Sequence, residues 1–160
     1  MRNMVKIGFV FVSLSFSVVA GTLYDPDDLK KFKETNNCVG CNLSGAILSD
    51  GRQRANLEGA NMSGSFVHSD YSGANMKGIN GSRLECMGNF SQVSFNNAVL
   101  IEAKFVGTNL TGADFTGANV RGASFRNANL YGSKITQEQL NSAASICDAI
   151  LPDGSKGSCS

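Results

Sequence analysis

The sequence predicts an all-β solenoid preceded by an export signal, and its solenoid part rests on three observations. A large apolar residue returns every five positions: Phe90, Phe95, Leu100, Phe105, Leu110, Phe115, Val120, Phe125, Leu130 and Ile135. Two residues before most of these centres stands a small one, as at Ala98, Ala103, Ala113, Ala118, Ala123 and Ala128. The 160 residues also include 18 Gly, no Trp and only 2 Pro, which leaves too few bulky side chains for an ordinary globular core. A period of five matches neither the 3.6 of a helix nor the 2.0 of a strand, so neither element keeps the centres on one face. Each unit must turn a corner.

In chain order, residues 1–20 read as a secretory signal. Arg2 and Lys6 supply the charged start, Ile7 to Phe16 the apolar stretch, and Ser17-Val18-Val19-Ala20 the cleavage site. The apolar run is shorter than the roughly 18 residues a spanning helix needs. The mature chain is therefore expected to begin near Gly21, without a membrane span, in the periplasm or outside the cell. Without Arg2 and Lys6 it carries 12 basic and 13 acidic residues, a formal charge of −1. Such a balance suits neither a polyanion binder nor a polyanion mimic, and no nucleic-acid partner is expected.

Residues 21–40 are expected to form an N-terminal cap, because Asp25-Pro26-Asp27-Asp28-Leu29-Lys30-Lys31-Phe32 reads as a helix start, acidic first and basic later. The repeat spans 41–135. Before Phe90 it changes phase, with centres at Leu43 and Leu48, then Leu57 and Met62, then Phe66, Tyr71, Met76, Gly81 and Cys86. One residue is lost at each junction: between Leu48 and Leu57, around an irregular unit at Arg52-Gln53, between Met62 and Phe66, and between Cys86 and Phe90. Gly81 is expected to leave a gap in the core. Residues 136–160 are expected to close the far end, since Thr136-Gln137-Glu138-Gln139 is a capping box followed by apolar residues at helical spacing.

The units Ala113-Asp114-Phe115-Thr116-Gly117 and Ala128-Asn129-Leu130-Tyr131-Gly132 resemble the pentapeptide-repeat family, whose consensus is Ala-(Asp/Asn)-Leu-x-x. The resemblance covers residues 41–135. It implies a right-handed quadrilateral β-helix of about five coils, four units per coil, with the central and the small residue pointing inward. It also implies short helical caps, which a solenoid needs because open coils expose apolar core and unpaired edges.

Five cysteines in an exported chain point to disulfides. The expected pairs are Cys38–Cys41 and Cys147–Cys159, with Cys86 a small buried hydrophobe in a central slot. A redox-active C-x-x-C lacks a surrounding βαβ pattern, and a zinc site lacks ligands, since His68 is the single histidine. No catalytic, cofactor or metal residue is expected, because the acidic side chains are scattered over outward positions and no serine has a matched base. An outward column through Val67, Met87 and Val106, flanked by Val99 and Ile101, stands out as an apolar patch, the expected contact face for a protein partner or a second copy. The function this supports is an exported, non-enzymatic interaction scaffold. The alternative is a secreted or envelope effector with a specific target. Topoisomerase inhibition by DNA mimicry, known in the family, needs an acidic flank, whereas residues 41–135 hold 8 basic and 6 acidic residues.

Overall fold

The fold comes from a computed structural model that describes residues 24–159; the expected signal at 1–20 lies outside them. The chain winds as a right-handed quadrilateral β-helix. Coils stack through the main chain, and each centre's N–H reaches the carbonyl that precedes the next coil's centre. Leu57 donates to Asn75 at 2.8 Å, Met76 to Ser94 at 2.8 Å, Phe95 to Asp114 at 2.8 Å and Phe115 to Lys134 at 3.0 Å. These bonds define four columns of inward side chains. One holds Cys38, Leu57, Met76, Phe95, Phe115 and Ile135; the next holds Leu43, Met62, Gly81, Leu100 and Val120. A third runs Leu48, Val67, Cys86, Phe105 and Phe125, and the fourth runs Arg52, Tyr71, Phe90, Leu110, Leu130 and Leu151.

Phenylalanine fills the later coils. Phe95 and Phe115 stack at 5.2 Å within one column, Phe105 and Phe125 at 5.2 Å in another, and Phe105 meets Phe115 edge-on at 6.0 Å across the tube. Offset and edge-on pairs of this kind add to the stabilisation from burial alone. Outside the core, asparagines link successive coils: the Asn61 amide donates to Asn42 Oδ1 at 3.3 Å, Asn80 to Asn61 at 3.3 Å and Asn109 to Asn89 at 3.0 Å.

Both ends are covered. Helix α1, Pro26–Thr35, starts at an Asp25 cap and buries Phe32 against the first coil. Its Asp28 carboxylate accepts the Asn42 N–H at 2.8 Å, and Asp25 N–H donates to the Asn42 carbonyl at 2.9 Å. Helix α2, Gln137–Ser142, begins with the expected capping box of Thr136 and Gln139 and buries Leu140.

Four sequence expectations are corrected. The centre between Met62 and Tyr71 is Val67, fully buried, not Phe66, which is half-buried on the outside. The short step therefore runs from Val67 to Tyr71, directly beneath the one from Cys86 to Phe90. Arg52 is not part of an irregular unit but takes a core slot itself, its guanidinium 5.0 Å over the Phe32 ring and bonded to Phe32 O and Asp50. Gly81 leaves no gap: an added Cβ would lie 2.9 Å from Leu100 Cδ2 and 3.2 Å from both Ile79 and Leu84, so bulkier residues in the small slots fill the space. The coil ladder also exceeds 41–135, reaching from the Asn37–Asn56 bridge to the Asn129–Ile150 bridge. Thus α2 is a detour within the last coil rather than its end.

Candidate functional site

Coil length decides where the surface is distinctive. Early coils repeat every 19 residues, as in the bridges Asn37–Asn56, Asn61–Asn80 and Glu85–Lys104; later ones repeat every 20, as in Asn89–Asn109 and Asp114–Lys134. The missing residue falls at the same corner each time, so the shortened sides lie on top of one another. A side without its usual turn can run straight. These sides form the one three-stranded parallel sheet among the described residues, in the order β1 (Ile47–Leu48), β2 (Phe66–Asp70) and β3 (Glu85–Asn89).

Strand alternation then sorts its side chains. Leu48, Val67 and Cys86 face the core. Ile47 pairs with Phe66 on the outside, and His68 with Met87. Ile47 is 68% exposed, Met87 46% and Val106, next in the same column order after Phe105, 43%. The His68 ring lies parallel to Phe66 at 6.2 Å. Lys104 Nζ bonds Glu85 Oε1 at 2.5 Å beside this strip, and Arg83 Nε bonds Glu102 Oε2 at 3.2 Å farther along, where a shallow groove runs past Lys104 and Val106. The result is a flat apolar strip bordered by paired charges.

The expected contact residues are only partly brought together. Val67 is core and leaves the set. Met87 and Val106 stay, but the column passes through His68 where Val67 was expected. Val99 is exposed on the neighbouring side, and half-buried Ile101 sits at the corner between the two sides, lining a groove with Arg83 and Glu102. The sequence reading missed Ile47, Phe66 and His68. Recognising that Val67 and Cys86 are equally spaced from Tyr71 and Phe90 would have found them.

The cysteines pair as expected, Cys38 with Cys41 and Cys147 with Cys159. Cys38 and Cys41 occupy a centre and a small slot, so that bridge staples the first corner. With both cysteines oxidised, their cluster with Asp28 offers no thiolate to a metal. Cys86 is buried, and burial pushes its thiol well above the ordinary range. Burial likewise raises the Tyr71 phenol, whose hydroxyl donates to Asp50 O at 3.3 Å. Neither group reaches solvent as a nucleophile or base. Among the described residues no helix is long and apolar enough to cross a membrane.

No curated protein matches the chain. Among solved structures it is similar to HetL from the cyanobacterium Nostoc sp. strain PCC 7120, a pentapeptide-repeat protein involved in heterocyst differentiation regulation. Identity is 27% over 75% of this chain and 55% of that one, so just over half of HetL's length is spanned, with a TM-score of 0.46. It is also similar to Rfr23 from the cyanobacterium Cyanothece 51142, at 28% identity over 67% of this chain and 85% of that one, TM-score 0.32. A third is a pentapeptide-repeat protein from the Arabidopsis thaliana thylakoid lumen, at 23% identity over 64% and 57%, TM-score 0.35. The family model for pentapeptide repeats matches residues 88–117 and 103–137, with eight copies. The five-residue period and the four inward columns agree with that match, and the chain carries pentapeptide repeats across residues 88–137.

Proposed function

We propose that this protein is an exported, non-enzymatic scaffold that engages a protein partner through the outer face of its three-stranded sheet. The carrying observation is the strip Ile47, Phe66, His68, Met87 and Val106, since elsewhere the outward slots are mostly Asn, Ser, Thr or charged. A contiguous apolar strip with a polar border is the composition of a contact surface. Pentapeptide-repeat proteins are generally structural or interaction proteins, which supports the non-enzymatic reading. Export is supported by the signal-like residues 1–20 and by two disulfides, which persist in oxidising compartments.

The test uses a Phe66→Asp/Met87→Asp variant, which alters the strip and leaves all four columns intact. Partner retention from the exported fraction should fall at least tenfold, with the thermal midpoint shifted by no more than about 5 °C. Equal retention by variant and wild type would remove the strip as the contact surface. N-terminal sequencing of the exported protein should begin at Gly21, and recovery of the intact chain from the cytosol alone would refute export.

A further inference from the structure

The two disulfides sit in opposite surroundings. Cys38 is fully buried and Cys41 is 3% exposed, with Cys38 Sγ 3.2 Å from the Asp28 carbonyl of α1. Cys159 is exposed and Cys147 half-buried. The second pair holds something the first does not. After Pro152 the tail reverses and runs antiparallel along the last rung, with Lys156 bridging Ile150. Gly157 N–H donates to Ala149 O at 2.8 Å, Leu151 N–H to Ser155 O at 2.8 Å and Asp148 N–H to Gly157 O at 3.2 Å. The tail is therefore a strap over the outer edge of the final coil, an edge that would otherwise present unpaired main-chain groups. Besides those bonds it is held by an exposed ion pair, Lys156 to Asp148 at 2.8 Å, and by Cys147–Cys159. Exposed ion pairs contribute little, so beyond the main-chain bonds the covalent link is the main restraint.

We propose that Cys147–Cys159 is a reducible latch: a dithiol reductant opens it while Cys38–Cys41 stays closed, and its opening releases the strap and uncovers the last rung. A thiolate of the reductant attacks Sγ of Cys159, the more exposed residue of the pair. The Cys147–Cys159 bond breaks, and Cys147 leaves as thiolate and takes a proton. The reductant's second thiolate then attacks its own sulfur in the mixed disulfide, freeing Cys159, which is protonated in turn. Two electrons and two protons pass to the protein, and the reductant ends as a disulfide. Access selects the bond, because the attacking thiolate must approach along the sulfur–sulfur axis and α1 and the first coil cover Cys38. Once open, the 12-residue separation between Cys147 and Cys159 is no longer closed, and the strap can leave as a unit.

The experiment titrates the full chain with dithiothreitol, traps thiols by alkylation, and follows hydrogen exchange by mass spectrometry. Cys147 and Cys159 should be labelled at reductant concentrations at least tenfold below those that label Cys38 and Cys41. The amides of Asp148, Leu151 and Gly157 should then exchange at least tenfold faster, with Leu110 and Phe115 unchanged. A Cys147→Ser/Cys159→Ser variant should show the fast strap exchange without reductant and no further change with it. Simultaneous reduction of both disulfides overturns the proposal, and so does slow strap exchange in the double variant. Loss of protection at Leu110 and Phe115 along with the strap would also overturn it, because the strap would then not open on its own.

Discussion

Phe66 and Val67 are adjacent, apolar and interchangeable by composition, yet one faces solvent and the other the core. An inward charge at Val67 would have no partner among Leu48, Cys86 and their neighbours, and burying an unpaired charge is among the most destabilising changes known. Val67→Asp should therefore lower stability by more than about 3 kcal/mol, whereas Phe66→Asp should change it by on the order of 0.5 kcal/mol. Urea unfolding of the two variants side by side measures the difference, and equal losses would put the register in error. The same pair shows why the site was harder to read than the fold. The larger ring is the better core candidate by volume, and a four-residue step fits equally before Phe66 or after Val67. Only pairing with Cys86 in the neighbouring strand separates the two, and pairing is not a local property. Arg52 was hidden for a related reason: a guanidinium in a core column is intelligible only once the Phe32 ring of α1 is placed beneath it.

At the level of elements, the junction between 19- and 20-residue coils has its own hydrogen-bond economy. β3 ends the sheet, so the Cys86 carbonyl has no further strand to pair with. Thr108, in a slot where most units carry Ala, meets it with a buried hydroxyl donating at 2.6 Å. Thr108→Val keeps the volume and removes the donor, leaving a buried acceptor unsatisfied. The expected loss is about 1–3 kcal/mol, with Thr108→Ser retaining most of the stability. Chemical denaturation of the two variants decides it, and identical midpoints would show that the carbonyl finds another donor. The shortened corner makes a backbone demand as well. Ser69 and Gly88, paired in register, both take φ of 109°, and a Cβ on Gly88 would lie 2.3 Å from Ser69 O. The helical caps were readable because an N-cap aspartate and a capping box are local signals. The continuation of the ladder past Ile135 was not, because α2 interrupts the five-residue period and Ile146 and Leu151 resume it out of phase.

Across the whole molecule, carboxylates bonded to residues two positions on hold the turns, as Asp70 does with Ser72 and Asp114 with Thr116, and this gives the protein a predictable acid response. Asp114 accepts the Thr116 hydroxyl at 2.6 Å, the main reason its pKa falls to about 2; burial opposes this, while the Thr116 N–H and Lys134 reinforce it. Asp70 is lowered chiefly by the Ser72 N–H, and Asp153 by Ser155. A carboxyl whose folded pKa lies below its ordinary value of about 3.9 stabilises the fold above that value and loses the contribution as pH falls through the folded pKa. Stability should thus decline between about pH 4 and pH 2. Asp114→Asn should flatten that decline, as measured by urea midpoints from pH 5 to pH 2, and an unaltered slope would remove Asp114 from the account. The architecture as a whole was legible because tandem repetition averages out local ambiguity: between residues 43 and 135 two of the four core columns follow from counting fives, and the other two fail only at Val67 and Arg52.

The stacked short corners also act as a length code. Each coil that drops a residue at that corner extends the flat platform by one strand, roughly 4.8 Å. The first coil to keep its residue, the one containing Val106 and Gly107, ends it. Platform width is thereby written as a number of deletions rather than as a sequence motif, and a lineage could widen or narrow its contact face by single-residue indels without altering any core column.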